Sequence, residues 1–190
     1  ITVEKNKVAA DSNMLSNNIN AQLLYDNLEY DQSYEMVNSL INDEKADDKT
    51  FFLKGRLELK FNLLDRSEKS FINAAALNNK DHMTMNALAY VYSINNKLLK
   101  AEAAYRMSIE TNSDSIFAHK NLGVLLIKLD RPQDSLFYLD KAAVMSLKNG
   151  DYQEYKAIVR IIHSLKSTDN AVGLSLKNLE NLESQFIKEI

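Results

Sequence analysis

Stepping back 34 residues at a time from Gly123 meets Ala89, Gly55 and Ala21, and the same step from Ser135 meets Ala101, Ser67 and Ser33. All eight positions are small in a chain rich in large side chains. The apolar positions keep the same period: Leu125 maps to Val91, Leu57 and Leu23, and Leu139 to Tyr105, Phe71 and Val37. The step runs without insertion and defines units 14–47, 48–81, 82–115 and 116–149. A unit this short cannot bury an apolar face alone, so a chain built this way stacks its units into a continuous core.

Each unit reads as a pair of helices. The 190 residues include only four Gly and one Pro, far fewer turn formers than a sheet protein needs. Two antiparallel helices approach closely where each presents a small side chain, which explains Gly or Ala in the first helix and Ala or Ser early in the second. Gly123 costs about 1 kcal/mol of helix propensity relative to Ala, and close packing has to offset it. Pro132, the only proline, is expected at about the first residue of the unit's second helix. There its missing N–H is no loss and its fixed φ suits helix entry. The segments 27–32, 62–66 and 95–100 occupy the same turn in the other units.

This pattern resembles the tetratricopeptide repeat, or TPR, over about three-quarters of the chain. The third unit carries it in Leu88, Ala89, Tyr92, Ala101, Tyr105 and Ser108, and the fourth in Leu122, Gly123, Leu126, Ser135, Leu139 and Ala142. The second unit keeps Gly55, Ser67, Phe71 and Ala74, but has Lys54 and Glu58 where large apolar residues are usual. The first has Asn20 at the equivalent of Leu88, and the family's closing proline is absent from every unit. The resemblance implies an all-α solenoid, with helix pairs stacked in a right-handed superhelix and the whole of 1–190 forming one domain.

Beyond 149 the period frays. Tyr155, Ile158, Ile162 and Leu165 form a helical stripe, 167–170 supplies turn and capping residues, and Leu179, Leu182 and Phe186 share one side of a last helix. This reads as a degenerate fifth pair whose last helix caps the solenoid. The first thirteen residues read as a lead-in or an early extension of the first helix.

The residues argue against several chemistries. Four scattered glycines build no phosphate loop. His82, His119 and His163 have no His or Cys at ligand spacing, and His119 falls where the repeat places a packing residue. The acidic run DEKADD (43–48) lacks the Gly and alternating oxygen ligands of a calcium loop and reads as solvated. The absence of Cys removes thiolate metal sites, and a net charge of −3 with pI near 5.7 argues against general nucleic-acid binding. No nucleophile–base pair, cofactor motif or metal cluster emerges, so neither catalysis nor a cofactor is expected.

In the TPR family the first helices line a concave face that takes extended peptides or partner helices. By that resemblance the face carries Leu15, Asn18, Gln22, Tyr25 and Asp26, then Lys49, Phe52, Arg56, Leu59 and Lys60. The third unit adds Met83, Asn86, Tyr90, Ser93 and Ile94, and the fourth Phe117, Lys120, Val124, Ile127 and Lys128. Every unit places an aromatic there, with five Lys or Arg against one Asp. Aromatics and Arg dominate many interfaces, so an acidic or carboxylate-ended protein segment with apolar anchors is the expected partner. Chaperone-binding members clamp a carboxylate with Lys and Asn four residues apart in the first unit. Asn18 and Gln22 stand there instead, which disfavours a chaperone tail.

The function expected is a non-enzymatic interaction scaffold that assembles a larger complex. Lys- and Asn-rich sequence with little Pro is similar to bacterial TPR lipoproteins of pilus assembly and outer-membrane biogenesis, which implies the periplasm or outer membrane, with the cytoplasm as the alternative. The chain opens ITVEKNK without Met and reads as a mature or trimmed piece, with a lipid anchor upstream an open alternative. A regulatory or localisation module cut from a longer enzyme or sensor is the second reading. No apolar run in the sequence is long enough to span a bilayer.

Overall fold

The computed structural model describes residues 17–165 and 170–189. Residues 1–13, the start of the first unit at 14, Leu15 and the turn residues 167–169 lie outside them. Among the described residues the secondary structure is entirely helical. Helix α1 covers 17–26, followed by α2 (Tyr30–Asn42), α3 (Asp48–Lys60), α4 (Leu64–Leu77), α5 (His82–Ile94), α6 (Leu98–Thr111), α7 (Ile116–Lys128), α8 (Pro132–Lys148), α9 (Tyr152–Ser164) and α10 (Asn170–Glu189). The starts of α3, α5 and α7, and those of α2, α4, α6 and α8, each step by the period read from the sequence.

The turns inside the pairs repeat to the hydrogen bond. Leu28, Asn62, Asn96 and Asp130 adopt φ of 67°, 58°, 57° and 57°. The residue after each donates its N–H five residues back: Glu29 to Leu24, Leu63 to Glu58, Lys97 to Tyr92 and Arg131 to Leu126, at 2.7–2.9 Å. This is the Schellman closure of a helix end, which satisfies carbonyls that would otherwise be orphaned. Pro132 then opens α8 with Arg131 as its N-cap, at the place its fixed φ suits.

The chain divides into two compact units, residues 1–91 and 92–190. In the first, Ala21, Tyr25, Val37, Leu53 and Leu57 form a core cluster. A Cβ added to Gly55 would lie 2.7 Å from the Phe71 ring, so only glycine admits that approach of α3 to α4. The serines are more than small. Ser33 Oγ donates to the Ala21 carbonyl and Ser67 Oγ to the Gly55 carbonyl, each at 2.8 Å, pinning the second helix to the first. Glu58, which departs from the family pattern, is 2% exposed. Its carboxylate accepts hydrogen bonds from Ser70 Oγ at 2.6 Å and Tyr34 Oη at 3.4 Å, so burial leaves it partnered.

Leu23 differs from its repeat equivalents. Leu57, Val91 and Leu125 are at most 1% exposed, whereas Leu23 is 53% exposed. Leu57 clusters with Val37 of the preceding pair. Among the described residues no helix precedes α1 to do the same for Leu23.

In the second unit a Cβ on Gly123 would lie 2.7 Å from Leu139 Cγ, so α7 meets α8 as α3 meets α4. Leu139, Ala142, Ala143 and Leu147 of α8 join Tyr155, Ile158 and Ile162 of α9, with Leu165 and Leu179, in one buried cluster. Val172, Leu176, Leu182 and Phe186 pack on it from α10, so this helix lies against α8 and α9. Tyr155 Oη donates to the Leu179 carbonyl at 3.2 Å. Burial, with Glu183 and Glu180 nearby, pushes the Tyr155 phenol up to about 12. His119 is 1% exposed, with Nδ1 3.0 Å from the Ser115 carbonyl. Burial holds its imidazole below the usual range against the opposing pull of that bond, as suits a packing residue.

Candidate functional site

The first unit carries a cleft of about 580 Å³ between α1, α3 and the start of α5. The capping box of α3 builds one end of it. Asp47 accepts from the Thr50 backbone N–H at 2.8 Å, while Thr50 Oγ1 accepts from the Asp47 N–H. Asn18 ties α1 to this cap, donating to Asp47 Oδ2 at 3.0 Å and accepting from Thr50 Oγ1 at 2.8 Å. Only 9% exposed, the Asn18 amide is committed to the helix junction, although the residue lines the cleft.

The walls are apolar and open. Ile19, Leu23 and Met83 are about half exposed at 50%, 53% and 54%, and Phe52 stands beside them, its ring 5.7 Å from that of Phe71. Arg56 supplies the cation. Its guanidinium carbon lies 4.0 Å from the Tyr25 ring centroid and 5.9 Å from that of Phe52. Tyr25 is therefore a buried platform under Arg56, at 9% exposure, and not the open anchor its repeat position implies. Gln22 Oε1 lies 3.5 Å from Arg56 Nη1, and its Nε2 donates to Asp26 at 2.7 Å. Among the described residues no carboxylate stands at ion-pair distance from Arg56.

The structure thus brings Asn18, Gln22, Phe52 and Arg56 of the expected face together, with Lys49 and Met83, around one cleft. Leu59, Asn86 and Tyr90 do not line it; Leu59 and Asn86 are half-buried and Tyr90 is 47% exposed. Sequence reasoning missed Ile19 and Leu23, whose signal was an i, i+4 apolar pair on a helix that no described helix precedes. It also missed Asp48, Asn78 and Asp81 at the cleft's edge.

In the second unit Phe117 is 62% and Ile127 36% exposed, while Ser93 and Val124 are half-buried. Lys120 does not offer the free cation its position implies. Its Nζ lies 2.5 Å from Glu154 Oε1 of α9, with both side chains mostly covered. The basic character read across the whole face therefore fails at Lys120, because Glu154 of α9 neutralises it. Among the described residues no cluster of His, Asp and Glu could hold a metal ion, and no helix is long and apolar enough to cross a membrane.

No protein-family model matches the chain, and no curated protein matches it. Solved structures share its fold. The crystal structure of MamA aligns at TM-score 0.69 and 14% identity, covering 88% of this chain and 96% of that one. YrrB, described as a TPR protein with an unusual peptide-binding site, aligns at TM-score 0.63 and 16% identity over 72% of this chain and 69% of its own. The first TPR domain of Spaghetti (RPAP3), bound to the HSP90 peptide SRMEEVD, aligns at TM-score 0.54 and 14% identity, covering 62% and 94%. The fold is that of an all-α TPR solenoid built from helix pairs.

Proposed function

We propose that the chain is a non-enzymatic interaction scaffold that holds an extended segment of a partner protein in the α1–α3–α5 cleft. The observation that carries this reading is the pairing of half-exposed Ile19, Leu23 and Met83 with Arg56, a cation that lacks a carboxylate partner among the described residues. Apolar walls supply burial, and a guanidinium already stacked on Tyr25 loses little freedom when it meets a carboxylate. YrrB and RPAP3, whose structures concern peptide recognition, add support from the same fold. The finer reading is assembly of a complex in the bacterial envelope, supported by the Lys- and Asn-rich composition; a lipidation Cys upstream of Ile1 would favour it.

The test is affinity for a native partner captured from the source cell and then purified. Met83→Glu and Arg56→Glu should each weaken it by about 2 kcal/mol or more while leaving helix content unchanged. Unaltered affinity in both variants would remove the cleft from the account.

A further inference from the structure

Among the asparagines of the sequence only Asn149 is followed by glycine. The pair sits in the turn between α8 and α9, where both residues are exposed. An asparagine side chain carries its own electrophile, an amide carbon that the next backbone nitrogen can reach to close a five-membered ring. Most residues hinder that approach with a side chain of their own, and Gly150 has none. The glycine is there for another reason. It holds φ 72°, the left-handed position that Leu28, Asn62, Asn96 and Asp130 hold in the turns inside the pairs. A turn that favours glycine has thus assembled a reactive dipeptide on the surface.

The same turn restrains it. Asn149 keeps ψ at 0°, whereas ring closure needs the Gly150 nitrogen to eclipse Cβ, a third of a turn away about the Cα–C bond. The Gly150 N–H donates to the Leu147 carbonyl at 3.0 Å, which opposes loss of the proton that the attack requires. The Asp151 N–H closes the turn onto the Ser146 carbonyl at 2.9 Å.

We propose that Asn149–Gly150 is a self-modifying site, gated by opening of the α8–α9 turn. In the open turn the Gly150 nitrogen gives its proton to solvent base and bonds to Asn149 Cγ. The Cγ–Nδ2 bond breaks, and the amide nitrogen leaves as ammonia with a proton from water. Water then opens the cyclic imide. Opening at the side-chain carbonyl leaves aspartate; opening at the main-chain carbonyl leaves isoaspartate, which adds a carbon to the backbone of a closed turn. Either product sets a carboxylate at the C-terminal end of α8, where the helix dipole disfavours it. Asp151 caps α9 by accepting from the Glu154 N–H at 3.0 Å, and Glu154 pairs with Lys120 of α7. The modified turn therefore loosens α9 from α7 and α8.

Mass spectrometry of the whole protein, aged in mildly alkaline buffer with and without denaturant, tests this peptide by peptide through the exchange of NH for oxygen and the appearance of isoaspartate. In denaturant Asn149 should convert faster than Asn38 and Asn112, each followed by serine. Folded protein should convert roughly tenfold or more slowly than unfolded, because only the open fraction reacts. Wild-type protein aged to conversion should unfold at lower denaturant than fresh protein. Asn149→Gln, whose longer side chain closes the ring far less readily, should keep its midpoint. Equal rates at Asn149 in folded and unfolded protein would overturn the gating. Conversion in denaturant no faster than at Asn38 or Asn112 would overturn the site, and an aged wild type as stable as the fresh protein would overturn the loosening.

Discussion

The guanidinium of Arg56 stacks on the ring of Tyr25, its central carbon 4.0 Å from the ring centroid. Because Tyr25 is buried, the platform is fixed by the core of the first unit and the cation is aimed before any ligand arrives. Lysine has neither the planar face nor the fork of donors. Arg56→Lys should therefore weaken partner binding by about 1 kcal/mol or more while shifting thermal stability little, a split that calorimetry on the variant reads directly.

The glycines separate by their surroundings. Gly55→Ala gains about 1 kcal/mol of helix propensity but drives a methyl into the fully buried Phe71 ring, an overpacking cost of about 1–3 kcal/mol. It should destabilise. Gly173→Ala in α10 meets nothing within 4 Å and should stabilise by up to about 1 kcal/mol. Denaturant midpoints of the two variants should move in opposite directions.

Leu28 holds the left-handed turn conformation that Asn62, Asn96 and Asp130 hold in the other pairs, at φ 67°. Such a conformation costs a branched side chain roughly 1–2 kcal/mol, whereas Asn tolerates it. The leucine side chain is 69% exposed and has little packing to lose. Leu28→Asn should raise the unfolding free energy by about 1 kcal/mol in chemical denaturation.

Burial of His119 lowers its folded-state imidazole below its unfolded value, so the unfolded chain binds more protons as acid is added. Its contribution is fully present above about pH 6.5, the unfolded value, and is lost as pH falls through the lower folded value. His119→Leu should flatten the decline in stability between about pH 7 and pH 5. The Ser115 carbonyl keeps the backbone N–H of residue 119 as a donor, so the substitution orphans no acceptor there. Unfolding curves across that range should show the parent steeper than the variant.

The helix pairs were legible because each repeats a constraint of backbone chemistry: a small residue at Gly55 or Gly123, a turn at 62–66 or 95–100, a proline at the opening of α8. Two aspects of the site were not. A repeat register assigns Leu23 to the core, but burial depends on what precedes a unit, and no described helix precedes α1. The register likewise leaves Lys120 free, since the Glu154 that pairs with it sits in α9, where the period has already frayed. Asn18 and Tyr25 were expected as ligand contacts, yet Asn18 is bonded to Asp47 and Tyr25 lies under Arg56, so both act as supports.

The most direct test of the cleft is amide hydrogen exchange on the whole protein with and without its purified partner. Protection on binding should concentrate in α1, in the first two turns of α3 and at the start of α5. Protection confined to α8, α9 and α10, with these segments unchanged, would contradict the account.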